Sequence, residues 1–148
     1  MDAERSSHTI PESHQDLLLD PVYGVLTTMM SDGQPQMSMV WVDYDGRYLL
    51  INTILERQKT QNMLANPKVN VLVTDPHDGN RFLEVRGEVA EITQEGAVAH
   101  ADKQTRLYSE GKQQHFYGDI YPEERRAQET RVIVKISPTK ITTNAVFS

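Results

Sequence analysis

Two cations stand where a helix should begin. In the run Asn52-Thr53-Ile54-Leu55-Glu56-Arg57-Gln58-Lys59, an apolar strand breaks at Asn52-Thr53, and a helical pattern restarts with Arg57 and Lys59 in its first turn. Pro67 closes that pattern. A helix N-terminus is the positive end of the macrodipole and carries backbone N–H groups without intrahelical partners. A cation there costs ~0.3–1 kcal/mol, where a carboxylate would gain as much. Glu56 offsets part of that cost. Two cations at the wrong end point to a bound anion, and a phosphate is the usual one. The competing reading is that both side chains are simply solvated.

The neighbours of this pair fit the same chemistry, each with a plainer alternative. Asn52 and Thr53 carry short polar side chains that could bind a polyol or phosphate, or cap the helix. Gln34, Gln36 and Ser38 open the second strand, which lies beside the third in a meander. A pocket between them and Arg57 and Lys59 would suit a long ligand with a flat ring and a phosphate tail; otherwise these polar groups face solvent. Tyr23, Trp41 and Tyr117 could stack on a substrate, but core packing is expected of each.

Other chemistries are excluded or unsupported. There is no cysteine, so disulfides, thiol catalysis and thiolate metal sites are out. Neither a Rossmann fingerprint, a P-loop nor a GxSxG nucleophile elbow is present. His8, His14, His77, His100 and His115 show no pair at ligand spacing, so each is expected at the surface and no metal site is expected. Asp43, Asp45, Glu123 and Glu124 read as solvated charges or caps in turns and helix ends, and no acid/base dyad or catalytic base can be named. The net charge of −6 argues against binding nucleic acid or an anionic membrane. No run of about 18 apolar residues marks a membrane span. The polar N-terminus lacks the apolar centre of a signal peptide, so a cytoplasmic protein is expected.

The elements that would position these residues follow from periodicity. With 148 residues, 38% of them hydrophobic, the chain reads as a flexible arm over 1–10 and one domain over 11–148. A short helix runs from Pro11 to Leu19. Strands over 22–30, 35–44 and 47–53, joined by Asp-Gly turns at 32–33 and 45–46, make an antiparallel meander. A helix follows over 56–66, with Met63 and Leu64 facing the core. Further strands are expected over 69–74 and 81–92, with a loop over 75–80 between them. Gly87 inside the fifth strand marks a bulge or bend. A second helix spans 97–110, a polar segment with Phe116, Tyr117 and Tyr121 packs over a neighbouring surface, and helical turns cover 122–128. Strands over 130–136 and 139–145 complete the chain. The result is mainly β (α+β), a six- to seven-stranded antiparallel barrel with peripheral helices.

The ordered set Tyr23-Gly-Val-Leu-Thr-Thr, Asp32-Gly-Gln-Pro-Gln, Leu50-Ile-Asn-Thr, Glu56-Arg-Gln-Lys-Thr-Gln-Asn-Met-Leu-Ala-Asn-Pro and Arg86-Gly-Glu-Val resembles the pyridoxamine 5′-phosphate oxidase-like split β-barrel superfamily. Within it, the chain most resembles the type B flavin/deazaflavin oxidoreductases that use coenzyme F-420. The resemblance covers about residues 11–145. It implies a split barrel and a homodimer with two coenzyme sites at the interface. It implies that Arg57 and Lys59 hold the coenzyme phosphate, that Asn52 and Thr53 lie by the ribityl-phosphate part, and that Gln34, Pro35, Gln36 and Ser38 line the ring. The partner subunit would contribute from residues 77–81 and from the segment near Tyr117. The chain ends at Ser148 without an evident Arg/His segment for pyridoxal phosphate, which argues against vitamin B6 oxidation. The expected activity is hydride transfer between F-420 and a small electron-poor organic substrate. Alternatives are an FMN-dependent reductase or oxidase, a non-catalytic flavin or deazaflavin carrier, and a barrel without a coenzyme.

Overall fold

The computed structural model describes residues 8–144. Strands β1 (Gly24–Met29), β2 (Pro35–Val40), β3 (Asp43–Tyr44), β4 (Leu49–Ile54), β5 (Lys68–Asp75), β6 (Asp78–Thr93) and β7 (Arg131–Thr143) form one antiparallel sheet in the order β2-β1-β5-β6-β7-β4-β3. The two edge strands, β2 and β3, are joined by only Trp41 and Val42. A ladder whose opposite edges are two residues apart must curl on itself, which gives a seven-stranded half-barrel.

Three expected elements differ. The second strand, read as 35–44, breaks at Trp41-Val42, because the chain there crosses from one sheet edge to the other. The sixth and seventh strands are one continuous β7. Pro138 does not end it, because it pairs with Gly87 where the β6–β7 register slips and no regular ladder bond is due. Gly87 is needed there: a Cβ would lie 2.7 Å from both Ile136 Cγ2 and the Ser137 carbonyl oxygen. The expected loop over 75–80 is a tight hairpin, in which Asp75 pairs with Asp78 and accepts the His77 N–H at 2.8 Å.

The inward faces of the strands make the core, with Leu26, Leu49, Ile51, Leu83, Val85, Val134 and Ile136 at its centre. A short helix, α1 (Asp16–Leu19), adds Leu17 and Leu18. Ile10 joins them and donates its N–H to the Tyr44 hydroxyl, so the expected arm does not extend to residue 10; residues 1–7 lie outside the described residues, as does Ala145. Helix α2 (Gln58–Ala65) buries Met63 but leaves Leu64 57% exposed. One residue is about 100° of helix, so the two cannot share a narrow apolar stripe. Helix α3 (Ala97–Tyr108) packs against β4 and β7, and Asn52, which alternates with the core-facing residues of β4, donates to its first carbonyl at Ala97. A turn at Phe116–Ile120, with Gly118 at φ 113°, and a 3-10 segment at Glu123–Gln128 lead from α3 into β7. Among the described residues, no helix is long and apolar enough to cross a membrane.

Candidate functional site

An open cleft of about 340 Å³ lies where the start of α2 meets the ends of β2 and β4 and the turn after α3. Arg57 and Lys59 line it. Arg57 is the N-cap of α2, in extended backbone, and Lys59 is the second helical residue. No side chain caps this helix. The Thr60 and Gln61 N–H groups donate to the Arg57 carbonyl; among the described residues, no protein acceptor meets those of Gln58 and Lys59. The helix start is fastened to the end of β4 by Thr60 Oγ1, which donates to the Ile54 carbonyl at 2.7 Å, and Gln61 Nε2, which donates to that of Leu55 at 2.6 Å.

Glu56 does not soften the charge as expected. Its carboxylate turns to Thr130 and accepts the backbone N–H at 3.0 Å and the hydroxyl at 2.8 Å. Among the described residues, no carboxylate pairs with Arg57 or Lys59. Burial lowers the pKa of Lys59, and the charges of Arg57 and Arg131 lower it further. A site that makes a lysine easier to deprotonate is one that an anion would relieve.

The third cation, Arg131, is the residue that the sequence did not single out. It opens β7, lines the same cleft, and has only 9% of its side chain exposed. Its guanidinium donates to Asn52 Oδ1 at 3.1 Å, to the Tyr117 hydroxyl at 3.1 and 3.2 Å, and to Glu129 at 3.2 Å, and it lies 4.2 Å from the centre of the Phe116 ring. Asn52 is also on the cleft wall, but its polar atoms are engaged within the protein. Its Nδ2 donates to the Ala97 carbonyl at 2.8 Å and contacts His100 Nδ1 at 3.0 Å. Thr53 is buried on the same wall.

This network continues inward and overturns two expectations. His100 is not at the surface: its side chain is buried, with Nε2 3.0 Å from Asp43 Oδ2. Asp43 is not a solvated charge either. It is 3% exposed and also accepts from Lys103 at 2.8 Å and from the Tyr44 N–H. Burial pushes the Asp43 carboxyl up, but the bonds from His100, Lys103 and Tyr44 outweigh it and hold the pKa at about 2. His14 is buried as well, 3.0 Å from Asn144 Oδ1.

Most of the remaining lining is apolar: Tyr23, Met39, Val40, Trp41, Phe116, Ile120 and Tyr121. Trp41 stacks on Tyr108 with ring centres 4.9 Å apart, and Tyr23 meets Tyr108 edge-on. The Tyr108 hydroxyl donates to the Val22 carbonyl and accepts the Val42 N–H; burial pushes its pKa up to about 12. The expected packing role holds for Tyr117, which is buried, but not for Tyr23, which is 54% exposed at the cleft.

Gln34, Pro35, Gln36 and Ser38 do not line the cleft in this chain. Gln34 lies exposed in the turn before β2, with Pro35 beside it. Gln36 accepts from Asn62 Nδ2 of α2 at 3.1 Å. Ser38 alternates with Met37 and Met39, between Gln36 and the cleft-lining Val40. Arg81, expected to reach a partner, bonds at home to Asp75, Asp16 and the Ser13 carbonyl. Taken together, the cleft offers cations for an anion and aromatic side chains for a flat apolar group, and its volume is in the range of small-molecule sites.

The family model of pyridoxamine 5′-phosphate oxidase matches residues 10–145. A solved structure named F-420 reductase is 34% identical, over 90% of this chain and 98% of that one, with a TM-score of 0.75. A pyridoxamine 5′-phosphate oxidase-like protein from Listeria innocua is 26% identical, over 89% and 90% of the two chains, with a TM-score of 0.57. General Stress Protein 26 from Bacillus anthracis has the same fold at 19% identity, over 90% and 92%, with a TM-score of 0.62. The curled half-barrel, its cation-lined cleft and a match over nearly the whole sequence lead to one conclusion: the chain belongs to the pyridoxamine 5′-phosphate oxidase family.

Proposed function

We propose that the protein is an oxidoreductase that moves hydride between the deazaflavin coenzyme F-420 and a small electron-poor organic substrate, such as an enone. The observation that carries this reading is the pair Arg57 and Lys59, set at an uncapped helix start without a carboxylate partner among the described residues, in a cleft that aromatic side chains also line. The 34% identity to a protein named F-420 reductase supports the choice of deazaflavin. When bound, the coenzyme supplies the hydride chemistry. Arg57, Lys59 and the free N–H groups of α2 hold its phosphate, with Asn52 and Thr53 beside it. In this reading Gln34, Pro35, Gln36 and Ser38, which lie beyond the cleft along β2 and the turn before it, would meet the far edge of its ring. Tyr23, Trp41 and Ile120 exclude water and orient the substrate.

FMN is the second reading, and one observation favours it. Two cations without an ion-pair partner among the described residues match the two charges of a phosphate monoester better than the single charge of a diester. A homodimer is part of the proposal as well. Met39, Val25 and Leu72 lie directly across from one another on β2, β1 and β5, with Met39 63% exposed, a row that a second copy would cover. A cytoplasmic location remains part of this reading.

The test is to titrate the purified protein with F-420 and FMN separately while following fluorescence. Tight binding of F-420 with turnover of an enone panel is expected. FMN binding alone moves the assignment to the second reading. F-420 binding without turnover of any substrate leaves a carrier, and binding of neither overturns the proposal.

A further inference from the structure

We propose that His100, which lies outside the cleft, is a positioning residue that makes anion binding sensitive to pH. In its neutral form it fixes the Asn52 amide and, through it, Arg131. The proposal rests on the reading of the cation-lined cleft as a phosphate site.

The argument is one of donors and acceptors. The Asn52 amide sits among three neighbours. The Ala97 carbonyl can only accept, and the Arg131 guanidinium can only donate. So Nδ2 must face Ala97 and Oδ1 must face Arg131, as the distances of 2.8 and 3.1 Å have it. The second hydrogen of Nδ2 then meets His100 Nδ1 at 3.0 Å, which must accept and therefore carries no proton. The ring proton is on Nε2 and is donated to Asp43 Oδ2. One tautomer of neutral His100 satisfies every group.

Protonated His100 keeps its Nε2–H bond to Asp43 but loses the one to Asn52. A hydrogen on Nδ1 would oppose the Asn52 amide hydrogens. Turning the amide over gives His100 an acceptor, but sets Oδ1 against the Ala97 oxygen and NH2 against Arg131. Either way the bond that orients Arg131 toward the cleft is lost or left unsupported. The charged groups around the imidazole divide. From β3, Asp43 favours the charged ring, though Lys103 of α3 already pairs with that carboxylate. From β7, Arg131 opposes the charged ring through Asn52. Lys135, on the same face of β7, is paired with Glu91. Glu129 and Tyr117 hold Arg131 from its far side and do not replace the lost bond.

The test compares wild type with His100→Asn and His100→Leu, titrating FMN and F-420 separately between about pH 5.5 and 8, where imidazoles change charge. His100→Asn offers Asn52 an amide oxygen at every pH. The affinity of wild type is expected to fall about tenfold more on acidification than that of His100→Asn. Ionisation of the ligand's own phosphate is common to both and cancels. His100→Leu, with no acceptor, is expected to bind about tenfold more weakly than wild type at pH 8. Identical pH profiles for wild type and His100→Asn overturn the proposal, whether or not His100→Leu folds. A second arm needs no coenzyme: the Arg131 Nε–H and the His100 ring nitrogens are followed by NMR across the same range. The Arg131 signal is expected to move with pH in wild type and to stay fixed in His100→Asn; a signal fixed in both overturns the coupling. Failure of both coenzymes to bind, with the NMR coupling present, counts against the proposed function alone.

Discussion

Three cations share the cleft, but they are held in opposite ways. Arg57 and Lys59 stand at a helix start with no carboxylate beside them, among the described residues, and with the macrodipole against them. Arg131 is gripped on every side, by Asn52, Tyr117 and Glu129, with an aromatic ring beneath it. The first pair makes no ion pair among the described residues, which in the proposed reading leaves it to a ligand. The third is part of the fold, and its charge reaches the cleft as a field placed by the network around it: it is one of the causes that lower the pKa of Lys59. Positive charge on a cleft wall is thus not one property. What distinguishes binding from scaffolding is whether the counter-charge is already inside the protein.

The largest effect follows from removing the gripped cation. Arg131→Ala leaves Glu129, whose side chain is 6% exposed, without one of its two arginines, and strands Asn52 Oδ1. Breaking a buried pair costs about 3–5 kcal/mol, and the low end is expected here because Arg125 still bonds Glu129 at 3.1 Å. Denaturant unfolding would measure it. A loss below about 1 kcal/mol, the size of an exposed pair, would put Arg131 in the same class as the other two.

The far end of the same network gives a pH prediction. The folded pKa of Asp43, about 2, lies below the ordinary aspartate value of 3.8. Its stabilising contribution is therefore present above about pH 4 and is lost as pH falls through about 2. Asp43→Asn, which removes this titration, should flatten the acid limb of the stability curve. An unchanged limb would mean that the carboxylate does not anchor the network.

For the ungripped pair the order of effects reverses. Lys59→Glu should weaken coenzyme binding at least tenfold, about 1.4 kcal/mol, while the unfolding midpoint stays close to wild type. An unchanged dissociation constant would remove the central support for the phosphate site.

This contrast also explains what the sequence made legible. Arg57 and Lys59 could be found because their signal is local: two cations at a helix start conflict with a dipole that the sequence itself implies. The bulge at Gly87 and the Asp-Gly turns were readable for the same reason, since each needs one residue type at one place. Arg131, His100 and Asp43 carry no local anomaly. An arginine opening a strand, a histidine inside a helix and an aspartate near a turn are ordinary, and their roles arise only when β3, β4, β7 and α3 meet. The break at Trp41-Val42 was hidden likewise: nothing in an alternating run says that the chain is changing sheet edges. Pro138 misled in the other direction, because the register slip that tolerates it is set by Gly87, some fifty residues away.

The smallest effect is the sharpest check on the comparison. Arg57 is the N-cap residue of α2, yet its side chain makes no capping bond, and its extended backbone suits alanine. Arg57→Ala therefore removes no contact that supports the fold. It removes a cation from the positive end of a helix, worth ~0.3–1 kcal/mol in favour of the variant at low ionic strength. Alanine's own weakness as an N-cap does not oppose this, because arginine caps nothing here either. The expected outcome is a stability equal to wild type or slightly above it, together with weaker coenzyme binding. Arg57 is also one of the causes that lower the pKa of Lys59, so in the variant the Lys59 ammonium should titrate at higher pH. NMR of the Lys59 side chain would follow that shift. A clear loss of stability on Arg57→Ala would mean that this cation, like Arg131, has a partner within the protein, and the division between the two kinds of charge would fail.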